Sequence, residues 1–141
     1  MEFFKILLVD DDEEDRAIVK DMLEMSNDEH IISFAVNGEE ALRLLDNHFR
    51  LHSIIPSLIV LDLNMPKMNG TETLRNIKND ERFKNIPVII YSTSINPLEK
   101  EKCMKLGAHS YITKPISYQE GLETARIFLQ FCNEDSYSHK K

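Results

Sequence analysis

The sequence predicts an α/β fold in which a parallel sheet lies between two layers of helices. Short apolar runs alternate with longer segments in which apolar residues recur at helical spacing, and this pairing occurs five times in succession. The runs that predict strands are almost continuously apolar, which is typical of a parallel sheet covered on both faces. We therefore expect a doubly wound (βα)5 three-layer sandwich, and 141 residues are enough for one such domain with a substantial core.

The composition restricts the possible partners. Hydrophobic residues make up 42% and charged residues 29%, with a formal net charge of −7. A nucleic-acid-binding protein carries a basic face, which this acidic balance does not favour. No apolar run is long enough to span a bilayer, the N-terminus has no signal-peptide features, and the two cysteines form neither a disulfide framework nor a zinc spacing. We expect a cytoplasmic protein with reduced thiols that binds neither nucleic acid nor a membrane.

The first predicted strand, residues 5–9, leads directly into a block of acidic residues. The following helix is predicted to begin within this block and to run to about Ser26, with apolar residues at helical spacing: Ile18, Met22 and Met25. The later acids of the block fall in the first turn, where carboxylates suit the helix dipole: Asp12, Glu13, Glu14 and Asp15. Asp10 and Asp11 lie earlier, at the end of the strand, so they need a different explanation.

The second predicted strand, residues 31–36, is followed by Asn37, a plausible helix N-cap with an acid three residues on. The helix it opens has an apolar face formed by Ala41, Leu44, Leu45 and Phe49. The loop predicted after it, residues 47–57, contains His48 and His52. Their spacing would suit a shared metal ion, but no third ligand lies nearby, so we interpret both as surface residues.

The second half of the chain repeats the same alternation. The predicted strands are 58–61, 88–91 and 110–113, and the predicted helices are 71–81, one from Asn96-Pro97 to Gly107, and one opened by the capping box Ser117–Glu120. The fourth helix of the chain is poor in apolar residues, so we expect it to be held less firmly than the others. We expect a domain over residues 3–132 and a disordered polar tail over 133–141.

Reactive side chains fall where the predicted strands end. They are Asp10 and Asp11 after strand one, Asp62 after strand three, Ser92 and Thr93 after strand four, and Lys114 after strand five. Parallel strands bring these ends to one edge of the sheet, which is where ligands bind in open α/β folds. If strands one and three are neighbours, the three carboxylates lie close together.

Neighbouring carboxylates repel and raise each other's pKa, which a folded protein tolerates when a cation lies among them. Oxygen ligands on a rigid frame suit Mg²⁺ better than Zn²⁺, and a main-chain carbonyl after Asp62 is a further candidate ligand. Lys114 and the Ser92 hydroxyl add a positive charge and a donor, which together make a site for a phosphoryl group. Asp62 is centrally placed and is the natural nucleophile, so the chemistry indicated is formation of an aspartyl phosphate.

These motifs closely resemble the receiver domain of two-component response regulators. They are Leu-Val-Asp10-Asp11, Leu-Asp62-Leu-Asn-Met-Pro66 with Gly70, Ser92, and Tyr111-Ile-Thr-Lys114-Pro115. The resemblance covers residues 3–132 and implies a flavodoxin-like sheet of order 2-1-3-4-5. No output domain follows the last predicted helix, so the expected type is a stand-alone receiver similar to the chemotaxis response regulator.

The resemblance also implies a role for each site residue. Asp62 would be the phosphoacceptor, Lys114 would pair with phosphoryl oxygens, and the switch pair would be Ser92, rather than Thr93, with Tyr111. The Mg²⁺ ligands would be Asp10, Asp11, Asp62 and the backbone carbonyl of Asn64. The Lys114–Pro115 bond would be cis.

The same resemblance implies partners and a limited chemistry. The phosphodonor would be a sensor histidine kinase or a histidine phosphotransfer protein. Phosphorylation would alter the surface of helix four, strand five and helix five for a downstream protein. The chain would catalyse only its own phosphorylation and dephosphorylation and would not otherwise be an enzyme. Dimerisation through helix four or helix five stays open.

Two other classes of function remain as alternatives. Haloacid-dehalogenase-type phosphatases also use a strand-end aspartate with Mg²⁺, but they usually carry a second aspartate two residues later, where this chain has Asn64, and a cap module that is absent here. A phosphorylation-independent adaptor would not need the acids and the lysine that the sequence retains. Phosphorylation by a small phosphodonor separates the three hypotheses.

Overall fold

The computed structural model describes residues 5–24 and 32–139, with side chains described as far as residue 132. The strands are β1 (Ile6–Val9), β2 (Ile32–Ala35), β3 (Leu58–Leu61), β4 (Val88–Ser92) and β5 (Ser110–Thr113). The helices are α1 (Glu13–Glu24), α2 (Gly38–His52), α3 (Gly70–Lys78), α4 (Pro97–Lys105) and α5 (Tyr118–His139). All strand pairs are parallel and the order is β2-β1-β3-β4-β5, so the predicted fold class and strand order are confirmed.

Two hydrophobic clusters cover the two faces of the sheet. Successive residues of a strand point to opposite faces, and β1 shows this alternation directly. Leu7 belongs to the cluster beneath α2 and α3, while Leu8 belongs to the cluster beneath α1 and α5. Every residue of β1 and β3 is fully buried. The ends of these two central strands are therefore set by packing on both sides.

The apolar face of α1 differs from the predicted one. Ile18 was expected to face the core, but 49% of its surface is exposed, and Val19 takes the inward position with Met22 and Leu23. The expectation for Ile18 was wrong because the helix is rotated by about one residue, or roughly 100°. The inward position of Met22 is confirmed, whereas Met25 and the predicted helix end lie outside the described residues.

Helix α2 continues further than predicted. His48 and His52 lie on its last turns rather than in a loop, with ring centroids 6.0 Å apart. No glycine or proline interrupts the sequence before Ser53, whose left-handed backbone (φ 56°) ends the helix. Within residues 5–24 and 32–132, neither histidine belongs to a cluster of three or more metal-ligating side chains.

Helix α5 begins as predicted and ends later. The Ser117 hydroxyl accepts a hydrogen bond from the Glu120 N–H over 3.2 Å, and the Glu120 carboxylate accepts one from the Ile116 N–H over 3.1 Å. The backbone stays helical to His139, into the segment expected to be a disordered tail, because no glycine or proline follows Gly121 in the helix. The division of the chain after residue 132 stays a prediction.

Gly70 allows the start of α3 to pack directly on the backbone after β3. A Cβ atom there would lie 2.2 Å from the carbonyl oxygen of Asp62 and 2.7 Å from the Cα of Leu63. The Gly70 N–H donates to the Leu63 carbonyl over 2.9 Å, and the Asn69 side chain caps the helix by accepting from the Glu72 N–H. Helix α3 therefore fixes the loop that flanks Asp62.

We expect Gly70→Ala to lower the free energy of unfolding by about 3 kcal/mol or more, because the added methyl group meets main-chain atoms that have no room to yield. Urea denaturation measures this change. Glu72→Ala, an exposed position on the same helix, is the control and should change stability by less than ~0.5 kcal/mol. A Gly70→Ala protein as stable as this control would show that the loop is not held as described.

Candidate functional site

Three carboxylates meet at the carboxyl edge of the sheet. Val9 of β1 is paired with Leu61 of β3, so the next residues, Asp10 and Asp62, emerge side by side. Oxygen atoms of Asp10, Asp11 and Asp62 lie within 4.8 Å of one another. Asp10 is fully buried, Asp62 is nearly so, and Asp11 is exposed. The cluster is therefore buried on the side of Asp10 and Asp62 and open to solvent on the side of Asp11.

Lys114 brings the positive charge of the site. Its Nζ atom lies 2.9 Å from Asp10 Oδ2 and 3.6 Å from Asp62 Oδ2, and only a tenth of its side chain is exposed. Its backbone N–H donates to the Ser92 carbonyl over 2.9 Å, which fixes the residue at the end of β5. The lysine thus neutralises part of the acid cluster.

The peptide bond before Pro115 does not have the expected geometry. The described residues contain no cis peptide bond, so the cis Lys114–Pro115 bond that the family resemblance implied is not found. The trans form of such a bond is intrinsically favoured by about 0.5–1 kcal/mol. Lys114 reaches the carboxylates with the trans bond.

Asp15 is the functional neighbour that sequence reasoning missed. Its carboxylate oxygen Oδ2 lies 2.6 Å from Lys114 Nζ, closer than either Asp10 or Asp62. The sequence analysis explained Asp15 by the helix dipole alone, together with the other acids of the first turn. Nothing in the local pattern distinguishes it from them, because its partner is 99 residues away.

Burial and charge act in opposite directions on the acids. Burial raises the pKa of Asp62 to about 6. The nearby Lys114 ammonium lowers this pKa, whereas the Asp10 carboxylate raises it further. Burial also raises the pKa of Asp10, although the Asp12 N–H and Lys114 oppose it. For Lys114, burial by itself lowers the pKa, but the adjacent carboxylates of Asp15 and Asp10 outweigh it, so the pKa is raised and the ammonium stays charged.

Ser92 and Tyr111 are both hydrogen-bonded to the backbone of Ser94, in the loop after β4. The Ser92 side chain is fully buried, and its hydroxyl accepts a hydrogen bond from the Ser94 N–H over 3.2 Å. The half-buried Tyr111 hydroxyl donates to the Ser94 carbonyl over 3.0 Å. Thr93, the alternative to Ser92, is exposed. The loop between β4 and α4 is therefore tied to both predicted switch residues.

An open cavity of about 580 Å³ adjoins the acid cluster at Asp11. The loop after β3 lines one side with Asn64 and Asn69, and α4 lines the other with Glu99 and Lys102. Asn64 is exposed in this cavity, and its backbone carbonyl is the one that was expected to bind a metal ion. The cavity gives an incoming group access to the exposed side of the cluster.

Known proteins are similar to this chain in sequence and in fold. The family model of the response regulator receiver domain matches residues 6–126. The chain belongs to this family. Chemotaxis protein CheY1 of Helicobacter pylori is 33% identical over 125 residues, which cover 89% of this chain and 96% of CheY1. The similarity thus covers most of both chains.

Solved structures of receivers superpose on this one. The phosphorylated cyanobacterial phytochrome response regulator RcpA has a TM-score of 0.81 and 33% identity, over 92% of this chain and 94% of RcpA. The Mn²⁺-bound form of response regulator Rcp1 has a TM-score of 0.75 and 31% identity, over 85% of this chain and 87% of Rcp1. Within residues 5–24 and 32–139 of this receiver, no helix has the length and apolar character needed to cross a membrane.

The pKa of Asp62 predicts that the metal-free receiver loses stability as the pH rises. In the folded state the pKa is about 6 rather than 3.8. The folded protein therefore binds this proton more tightly than the unfolded chain, and the resulting stability is present below pH ~4 and lost through pH ~6. The difference corresponds to ~3 kcal/mol at most. In EDTA, the free energy of unfolding of Asp62→Asn should therefore decrease less between pH 4 and pH 7 than that of the unsubstituted protein.

Urea denaturation at several pH values measures this effect. Asp21→Asn, an exposed acid on α1, is the matched control and should keep the slope of the unsubstituted protein. Equal slopes for Asp62→Asn and the unsubstituted protein would contradict the raised pKa of the buried Asp62.

Proposed function

We propose that this receiver takes part in a two-component phosphorelay in the cytoplasm, with Asp62 as the phosphoacceptor. The donor is a phosphohistidine on a sensor kinase or a histidine phosphotransfer protein. The observation that carries the proposal is a nearly buried carboxylate at the mouth of β3, with Asp10 and Asp11 within 4.8 Å and a lysine ammonium 3.6 Å away. No other described residues form a cluster of this kind.

The acids fit the Mg²⁺ ion that the family implies. Asp10 Oδ1 accepts a hydrogen bond from the Asp12 N–H, whereas the buried Oδ2 lies 2.9 Å from the Lys114 ammonium and makes no hydrogen bond of good geometry, so it keeps lone pairs for a cation. All the candidate ligands are oxygen atoms, as Mg²⁺ prefers: Asp10, Asp11, Asp62 and the Asn64 carbonyl. When bound, Mg²⁺ would offset the negative charge that develops on the transferred phosphoryl group.

The chain's own groups perform the transfer. An ionised Asp62 oxygen forms a bond to phosphorus in line with the phosphorus–nitrogen bond, which breaks and leaves its electron pair on the imidazole. The raised pKa of about 6 still leaves Asp62 mostly ionised at neutral pH. Lys114 leaves Asp10 and pairs with the phosphoryl oxygens. Hydrolysis later restores the carboxylate, and these two reactions are the whole of its chemistry.

Phosphorylation is communicated through the loop after β4. Ser92 releases the Ser94 N–H and turns its hydroxyl to the phosphoryl group, while Tyr111 holds the Ser94 carbonyl. The loop leads into α4, in which Cys103 is the single buried residue and Leu98 is 74% exposed. A lightly anchored helix can shift between two positions at low cost, so the surface of α4, β5 and α5 changes for a downstream protein.

Phosphorylation by a small donor tests this proposal. Incubation with Mg²⁺ and acetyl phosphate, followed by intact mass measurement, should show one phosphoryl adduct. Asp62→Asn should lose the adduct because the nucleophile is gone, and Asp21→Asn should keep it. Steady turnover of unrelated phosphomonoesters would indicate a phosphatase instead. An unmodified protein without turnover would leave an adaptor role.

Mg²⁺ should raise the melting temperature of the unphosphorylated protein, because it binds the folded acid cluster and relieves its repulsion. At a concentration 100 times the dissociation constant the gain is about 2.7 kcal/mol. Asp11→Ala should abolish this gain, whereas Glu13→Ala, an exposed acid of the same segment, should retain it. Differential scanning calorimetry with and without Mg²⁺ gives the comparison. Identical melting curves for the unsubstituted protein would rule out the metal site.

A further inference from the structure

The Lys114 ammonium has a carboxylate partner that is not part of the metal-binding cluster. Asp15 lies 2.6 Å from Lys114 Nζ, whereas Asp10 and Asp62 lie 2.9 and 3.6 Å away. Only Asp10 and Asp62 belong, with Asp11, to the group of oxygens that can share an ion. The lysine therefore bridges the metal-binding acids and an acid beside them.

The position of Asp15 is fixed by the start of α1. The Asp12 carboxylate accepts hydrogen bonds from the Glu14 and Asp15 N–H groups over 2.8 and 3.4 Å, which caps the helix. One turn on, the Arg16 side chain donates to the Asp10 carbonyl over 2.8 Å and ties the helix to the end of β1. The Asp15 side chain is 29% exposed, so its carboxylate is set at the rim of the site rather than inside it.

Lysine and a metal ion compete for the same oxygens. In the structure the ammonium acts as the cation of the acid cluster, in contact with Asp10 and near Asp62. A divalent ion at these oxygens repels an ammonium held a few ångströms away, at several kcal/mol for each unit of charge in a partly buried site. Mg²⁺ would bind these oxygens more favourably if the ammonium withdrew, and a withdrawn, buried ammonium needs another counter-charge.

We propose that Asp15 is a positioning residue that holds Lys114 beside the metal position. It allows Mg²⁺ to take the oxygens of Asp10 and Asp62, and it keeps the ammonium close enough to meet the incoming phosphoryl group. This inference rests on the Mg²⁺-dependent function proposed above. This role is separate from the favourable interaction of Asp15 with the helix dipole, which all the acids of the first turn share.

A double-mutant cycle with Lys114 tests whether Asp15 acts through the lysine. Isothermal titration calorimetry would measure Mg²⁺ affinity for the unsubstituted protein, Asp15→Asn, Lys114→Ala and the double variant. Asp15→Asn should weaken Mg²⁺ binding about tenfold, because the freed lysine stays on the metal oxygens. In the Lys114→Ala background the same substitution should change the affinity by less than about twofold, since no competing cation remains.

Two further variants separate this role from simple charge and from folding. Glu14→Gln removes one negative charge from the same helical turn at an exposed position, and it should change Mg²⁺ affinity by less than about twofold. Asp15→Glu keeps the charge but displaces it by one methylene, so its affinity should fall between those of the unsubstituted protein and Asp15→Asn. Circular dichroism checks that every variant is folded.

The outcomes distinguish the inference from the function on which it rests. An equal or larger effect of Asp15→Asn without Lys114 would mean that Asp15 attracts the metal by its own charge, and the inference would be wrong. An effect no greater than that of Glu14→Gln would also overturn it, with the proposed function intact. If the unsubstituted protein binds no Mg²⁺, both fail.

Discussion

The structure depends on the parallel pairing of β1 with β3, which brings oxygen atoms of two buried carboxylates within 4.8 Å of each other. Backbone register alone puts Asp10 and Asp62 at adjacent strand ends, and the core on both faces prevents either from moving away. Such crowding costs free energy unless positive charge is present. The other groups of the site lie around these carboxylates and can reduce that cost. Lys114 offsets part of it, and the proposed metal ion would offset the remainder.

The fold and the cluster of carboxylates were accessible from the sequence because they rest on short-range signals. Apolar runs ended by acids locate the strands, and parallel pairing brings their ends together without any knowledge of side-chain contacts. Errors arose where several conformations fit the same local pattern. Ile18 and Val19 both suit an amphipathic helix, and only tertiary packing selects the rotation that buries Val19. His48 was placed in a loop although nothing before Ser53 ends the helix.

The pairing of Asp15 with Lys114 marks the limit of such reasoning. It joins the first turn of α1 to the end of β5 across 99 residues, and it depends on how α1 is rotated above the sheet. Glu14 precedes Asp15 in the same helical turn, and residue type alone does not show which of these two acids faces the lysine. Distances between side chains, rather than residue types, decide which acid shares the lysine with Asp10 and Asp62.

The two proposed switch residues, Ser92 and Tyr111, are hydrogen-bonded to the main chain of Ser94 rather than to its side chain. One bond involves its N–H and the other its carbonyl. The link between Ser92 and Tyr111 therefore tolerates any residue at position 94 that has a backbone N–H, which excludes only proline, provided that the loop keeps its path. Substitutions at this half-buried position can therefore change the side chain presented near α4 without removing the two hydrogen bonds that join Ser92 to Tyr111. The main chain of one residue carries the connection, and its side chain stays available for change.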